Sequence, residues 1–448
     1  MPQPLCFVLM PFSKKTIPSG ATVDFDAVYS MLIQPAIAAA GLEPLRADAE
    51  LAGGVIHKPM YERLMLCDFA VADLTGANAN VFYELGLRHG IRPATTVLVS
   101  GETGKLPFDV GPLRTLPYAL GPDGKPTELA SRIEALATLL RAAIAQAGEP
   151  MHDSPVFQLL EGYQPPDISH LKTDVFRDRA LYAVKARDEL AAARRSGKAA
   201  VQAAAASLGD LSTLEAGVVV DLLLSQRAVS DFQGMVDLVP TMPAPLARST
   251  LVQEQFGFAL NRLGRRDEAE AALKALIESR GPSSETNGLL GRVYKDRWEQ
   301  ERKAGNGLAA RGWLQKAINT YLQGFEADWR DAYPGINAVT LMELASPPDP
   351  RRLDLLPVVI YAVKRKIAKG TPDYWDHATL LELAVLRRDD DAAMESASNA
   401  LALVRESWEA GTTANNLRLI REARSSSHTG MPCADEIEQA LVERSKQT

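Results

Sequence analysis

The sequence predicts an α/β domain built on a doubly wound parallel sheet, followed in the same chain by an all-α helical-repeat domain. Three observations carry this. Residues 1–147 alternate short apolar runs with helical patterns, as parallel βαβ units covered on both faces require. A stretch with four prolines, GEPMHDSPVFQLLEGYQPP (148–166), breaks that rhythm and reads as a linker. Residues 167–448 hold one helical segment after another and no strand series. The length of 448 residues agrees, because a single core stops growing near ~250–300 residues.

The elements follow in order. LCFVLM (5–10) is a strand apolar on both faces, and ATVDFDAVYSMLIQPAIAAAGL (21–42) is a helix that closes on Gly41. EPLRADA (43–49) supplies a strand, GGVIHKPMYERLML (53–66) a helix, FAVAD (69–73) a strand, NVFYELGLRHG (80–90) a helix and TTVLVS (95–100) a strand. TLPYAL (115–120) is a fifth strand and TELASRIEALATLLRAAIAQAG (127–148) an amphipathic closing helix. This succession is flavodoxin-like.

Beyond the linker come ISHLKTDVFRDRALYAVKARDELAAARR (168–195), STLEAGVVVDLLLSQ (212–226) and DFQGMVDLV (231–239). The pair STLVQEQFGFALNRLG (249–264) and RRDEAEAALKALIES (265–279) places Gly257, Leu260, Ala269, Leu273, Leu276 and Pro282 close to the positions of a tetratricopeptide unit, whose period is 34 residues. The next unit keeps Gly291, Tyr294, Ala317 and Tyr321 but carries extra residues around WEQERKAGNGLAARG (298–312). ATLLELAVLRRDDDAAMESASNALAL (378–403) is a third, weaker copy. An irregular α bundle is the alternative.

Composition narrows the function. The net charge of −7 gives no basic footprint, so neither nucleic acid nor a membrane surface is expected as a partner. The three cysteines (Cys6, Cys67, Cys433) are scattered, so no metal site is expected and a reducing, cytoplasmic location fits. MPQPLCFVLMPF has too short an apolar run for a signal peptide, and no stretch approaches the ~18 apolar residues of a membrane helix.

In a doubly wound sheet, ligands sit beyond the carboxyl ends of the strands. Those ends are Pro11 and Phe12, Asp48, and Asp73, and the following helix starts near Asn80, a plausible N-cap. Glu84 then lies near the mouth of the cleft. A carboxylate there suits an N-glycosidic bond, because the ribosyl C1′ becomes oxocarbenium-like as the base leaves. Asp73 or Asp48 would orient the sugar or help protonate the base. Simpler roles stand beside these. Glu84 can pair with Arg88 four residues on, Asp73 can bend a turn, Asp48 can be solvated, and His89 can complement a helix C-terminus. Phe82 and Tyr83 suit the core, and Gly53-Gly54 is a weak phosphate-loop signal.

FVLMPF and ADLTGANANVFYELGLRHG resemble the bacterial TIR-like domains related to nucleoside 2-deoxyribosyltransferases, over roughly residues 5–120. The resemblance implies Glu84 as the nucleophile at C1′, Asp73 and Asn80 as substrate contacts, and NAD or a deoxynucleotide as substrate, with no cofactor. It also implies self-association. The chain departs from some enzymatic relatives at Asn78, where they place an acid or a serine. ETNGLLGRVYKDRW, AINTYLQGFEADWRDAYPGINAVTLMELA and DYWDHATLLELAVLRRD resemble the tetratricopeptide-containing, TRAFs-binding regulatory region of the apoptosis signal-regulating kinases, over roughly 167–425. That implies a protein partner for the helical domain and no phosphoryl transfer, since the chain has no Gly-rich loop, HRD or DFG. The expected function is a cytosolic signalling or stress-response protein that cleaves a nucleotide under control of its helical domain, or a non-catalytic scaffold with a vestigial TIR-like domain.

Overall fold

Leu5–Leu9 (β1) is apolar at every position and fully buried, as a strand at the centre of a parallel sheet must be. In the computed structural model, which describes residues 3–46, 58–101, 106–108, 110–146, 153–166, 168, 174–370, 372–425 and 431–446, β1 pairs on both sides. The chain divides into two compact units, Met1–Ser230 with Thr241–Ser249, and Asp231–Pro240 with Thr250–Thr448.

In the first unit, Lys14–Thr16 (β2) and Thr22–Asp24 (β3) form a small antiparallel hairpin. The helix predicted from residue 21 is therefore shorter. It begins at Phe25, where the Asp24 carboxylate accepts from the Ala27 amide at 3.0 Å. It runs through Phe25–Val28 (α1), a π-helical turn at Tyr29–Ile33 and Gln34–Ala39 (α2) before Gly41 ends it with φ of 80°. The remaining strands are Glu43–Arg46 (β4), Phe69–Asp73 (β5), Thr96–Gly101 (β6) and Thr115–Tyr118 (β7). They join β1 in a five-stranded sheet of order β4-β1-β5-β6-β7, parallel throughout.

Successive residues of β1 feed opposite faces. Cys6 and Val8 pack with α1, α2 and Leu129–Ala145 (α5), whereas Leu5, Phe7 and Leu9 pack with Lys58–Leu66 (α3) and Ala79–Ile91 (α4). Part of the expected linker is folded. Ser154 caps the short helix Pro155–Leu159 (α6) and its hydroxyl donates to the His89 carbonyl at 2.7 Å, while the Thr96 amide donates to Asp153 at 2.8 Å. The first unit then continues past the predicted break with Asp174–Ser196 (α7), Lys198–Ser207 (α8), Ala216–Ala228 (α9) and Ala244–Ala247 (α11), Phe232–Leu238 (α10) belonging to the second. Ala180 of α7 is buried against the sheet's core, and buried Arg63 of α3 pairs with Glu215 at 2.6 Å.

The second unit is helical throughout its described residues. It pairs Thr250–Arg262 (α12) with Arg266–Arg280 (α13), Ser284–Lys303 (α14) with Gly307–Ala327 (α15), and Ala332–Leu344 (α16) with Arg352–Lys369 (α17). Tyr374–Arg387 (α18) with Asp390–Ala402 (α19) and Ser407–Ser425 (α20) with Pro432–Arg444 (α21) complete it. Apart from a short turn at 304–306, the extra residues around 298–312 are helical. They lengthen α14 and α15 to 20 and 21 residues, against 13 and 15 in the preceding pair. Glycine permits the close approach in both pairs: a Cβ on Gly257 would lie 2.7 Å from the Leu273 side chain, and one on Gly291 2.8 Å from the Tyr321 ring.

Candidate functional site

At the sheet edge where a nucleotide site is predicted, the end of β5 is closed by its own side chains. Asp73, at the end of β5, is fully buried. One carboxylate oxygen accepts from the Thr75 amide at 3.0 Å and hydroxyl at 2.5 Å, the other from the Tyr118 hydroxyl at 2.8 Å. The Gly101 amide donates to the Thr75 hydroxyl at 2.7 Å, so the network joins β5, β6 and β7. Burial raises the Asp73 pKa while these hydrogen bonds pull it down.

The N-cap of α4 is Asn78, not Asn80. The Asn78 side chain accepts from the Asn80 and Val81 amides at 3.0 and 3.4 Å, and Asn80 itself is exposed. The reason is geometric, because a cap accepts from amides two and three residues ahead and the helix begins at Ala79. Glu84 falls in the second turn, half-buried, and is not paired with Arg88. No hydrogen bond or ion pair holds its carboxyl among the described residues, and burial raises its pKa to about 7.

Arg88 points inward instead. Fully buried, it donates to the carbonyls of Leu64, Cys67 and Asp68 at 2.8, 2.8 and 3.2 Å and to the Thr95 and Thr96 hydroxyls. Burial and neighbouring Arg92 lower its pKa to about 10. Burial and Arg88 hold His89 down at about 4, so it is neutral near pH 7 and adds no positive charge to the helix C-terminus. Tyr83 is exposed, its hydroxyl 3.3 Å from that of Tyr61, whereas Phe82 packs on the core as predicted.

Pro11 is buried and Phe12 half-buried, and both meet Arg46, a residue the sequence reading did not single out. Arg46 donates to the Pro11 carbonyl at 3.2 Å, pairs with Asp26 at 2.7 Å, and its guanidinium lies 4.6 and 4.8 Å from the Phe12 and Tyr29 ring centroids. Asp48 and Gly53-Gly54 lie outside the described residues. No cluster of three or more potential metal ligands occurs among the described residues, and no helix among them is long and apolar enough to cross a membrane.

The second unit holds a groove of about 720 Å³. Its wall is built mainly from the first helix of successive pairs. Arg292 and Lys295 come from α14, Tyr333 and Asn337 from α16, Thr379 and Glu382 from α18. Trp408, Thr412 and Asn416 of α20 and Trp375 of α18 form its far side, with the two indole rings 5.6 Å apart. The spacing of three or four residues along each helix turns one face of every first helix into the groove. Sequence reading found these helices but not the groove, because its residues are few per helix and separated by a whole helix pair.

A family model for the MAP3K TRAFs-binding domain matches residues 81–442. The chain belongs to that family. As a TRAFs-binding-domain protein it is similar to the mitogen-activated protein kinase kinase kinase nsy-1 of Caenorhabditis elegans, 28% identical over 219 residues, covering 44% of this chain and 14% of the kinase. It is also similar to human mitogen-activated protein kinase kinase kinase 5, 24% identical over 387 residues, covering 78% of this chain and 27% of the kinase. The chain thus spans only a fraction of these relatives' length. Among solved structures, a thermophilic TPR protein of Thermus thermophilus matches 45% of this chain at 15% identity with a TM-score of 0.34. The family match begins at Val81, inside the α/β unit and well before the segment whose motifs resemble the kinase regulatory region.

Proposed function

We propose that this protein is a cytosolic signalling scaffold whose helical unit binds a segment of a partner protein in the groove. The groove itself is the observation that carries this reading. It is large enough for several residues of peptide, and it combines aromatic surface with convergent polar groups, as ligand sites do. Membership of a family named for TRAFs binding supports a protein partner. The test is selection of a random peptide display library on the full chain, scored against Thr379→Arg, which fills the groove from the middle of α18. Peptides that bind wild type and lose binding to the variant support the reading, and selection that yields only variant-tolerant peptides opposes it.

A second reading concerns Glu84. The parallel order β4-β1-β5-β6-β7 of the first unit supports a doubly wound reading, and the motif resemblance to TIR-like and deoxyribosyltransferase domains falls on it. Glu84 is a half-buried carboxyl in the second turn of α4, with no partner among the described residues and a pKa near 7. A cationic sugar carbon would draw it to the ionised state needed to stabilise or attack C1′. In this reading the domain cleaves NAD or a deoxynucleotide, and self-association of the chain completes the site. Asp73 would act by shaping the edge, since its oxygens are occupied. Chromatography after incubation with NAD and with deoxynucleoside monophosphates decides it. Base release by wild type and none by Glu84→Gln supports cleavage, and silence from both leaves the scaffold.

A further inference from the structure

We propose that the face of the helical unit bearing α17 and α19 pairs with the same face of a second copy of this chain, giving a two-fold dimer that leaves the groove described above open. The proposal goes beyond both site readings, since it concerns a surface that neither uses.

A trough of about 400 Å³ runs between α17 and α19. Its floor is Leu380, Leu383 and Ala384 of α18, and its walls include Ile360 and Ile367 of α17 and Ala392 of α19. α18 lines the trough with Leu380, Ala384 and Arg387 and the groove with Trp375, Thr379 and Glu382. A turn of 3.6 residues sets these two rows on opposite sides of the helix, so covering the trough does not close the groove. Beside the trough, α17 leaves an apolar row uncovered. Leu353, Pro357 and Tyr361 follow one another at a spacing of four residues, all exposed, Leu353 to 68% and Tyr361 to 66%. Met394 of α19 is exposed as well. Apolar surface gathered in this way marks an interaction site.

Charge selects the occupant. α17 holds five basic residues against one acid, and α19 three acids and no basic residue. Arg352 and Lys366 are taken up by Glu343 and Asp376, and Arg387 and Asp389 at the end of the trough offset one another at 3.8 Å. Lys364 and Arg365 of α17 and Asp391 and Glu395 of α19 are exposed and make no ion pair among the described residues. The face is thus basic along one side and acidic along the other. A two-fold axis through the trough lays each side of one copy over the opposite side of its partner, so basic meets acidic twice and the apolar rows cover the troughs. A partner carrying charge of a single sign would meet its own sign along one wall.

Sedimentation velocity on the full chain over a concentration series tests this with two charge reversals, Lys364→Glu with Arg365→Glu, and Asp391→Lys with Glu395→Lys. Wild type is expected to dimerise and each reversed chain to stay monomeric, because like charges then face one another along both walls. An equimolar mixture of the two reversed chains should dimerise again, since each reversed wall meets its opposite, and that recovery shows both variants to be folded. Tyr361→Ser, which leaves every charge in place, should weaken the wild-type dimer by about tenfold or more. A wild type that is monomeric throughout leaves this face to another partner and overturns the proposal. Reversed chains that still dimerise, a mixture of chains with wild-type circular dichroism that stays monomeric, or a Tyr361→Ser dimer of undiminished affinity overturns it too.

Discussion

Two buried arginines, one in each unit, perform the same task on different terms. Arg88 gathers the carbonyls of Leu64, Cys67 and Asp68 at the end of α3. Arg424 gathers those of Val385 and Leu386 at the end of α18, at 2.8 and 2.9 Å. Each supplies donors to carbonyls that a helix terminus leaves open. Arg88 makes no direct ion pair among the described residues, and its hydrogen bonds go to carbonyls and to the Thr95 and Thr96 hydroxyls. Arg424 also pairs with Glu343 at 2.6 Å, and Glu343 in turn holds Arg352 at 2.6 Å. The α/β unit thus fixes a helix end by hydrogen bonds from Arg88 and from Arg92, which donates to the Cys67 carbonyl at 2.9 Å, and the helical unit does so through an ion-pair network that crosses from α16 to α20.

That difference predicts different responses to mutation. The largest effect is expected from Arg88→Met, which strands several buried carbonyls and should destabilise the first unit by about 3–5 kcal/mol. Arg424→Met should also be costly, but Glu343→Gln in the same chain should restore about 1 kcal/mol of it by removing the carboxylate left with one partner. Urea unfolding followed by circular dichroism measures both, and equal costs without rescue would remove the distinction.

A smaller effect tests how the helical unit closes. Gly291→Ala brings a methyl against the Tyr321 ring and should cost about 1–3 kcal/mol as an overpacked core position. A neutral result in a thermal melt would mean that α14 and α15 have room to separate.

The smallest effect returns to the α/β unit and has the opposite sign. Glu84 titrates near 7 in the folded state against 4.5 for the free side chain, so the native protein binds more protons across that window and stability falls as pH rises through it. Glu84→Gln should therefore be more stable than wild type at pH 8, by on the order of 1–2 kcal/mol, with the two converging below about pH 4.5. A difference independent of pH would place the cause elsewhere.

Much of the fold is legible in the sequence. The strands LCFVLM, FAVAD and TTVLVS and the pair around Gly257 and Leu273 stand where apolar period and small residues put them. What escapes are choices that depend on distant partners. Thr22–Asp24 leaves the predicted helix to pair with Lys14–Thr16. Spacing offered Arg88 to Glu84, yet Arg88 also continues the buried stripe of Val81 and Leu85, and the carbonyls at the end of α3 claim it. Asp73 was visible as a strand-ending acid, but Tyr118, which closes it, lies 45 residues away. The groove was invisible for the same reason, because its residues converge only when successive helix pairs stack.

Hydrogen–deuterium exchange on the full chain, with and without a saturating groove-selected peptide, tests the central claim most directly. Slowed exchange in Tyr374–Arg387 and Ser407–Ser425, with β1 and Ala79–Ile91 unchanged, is the predicted result. Protection confined to the α/β unit, with the groove helices unaffected, would contradict it.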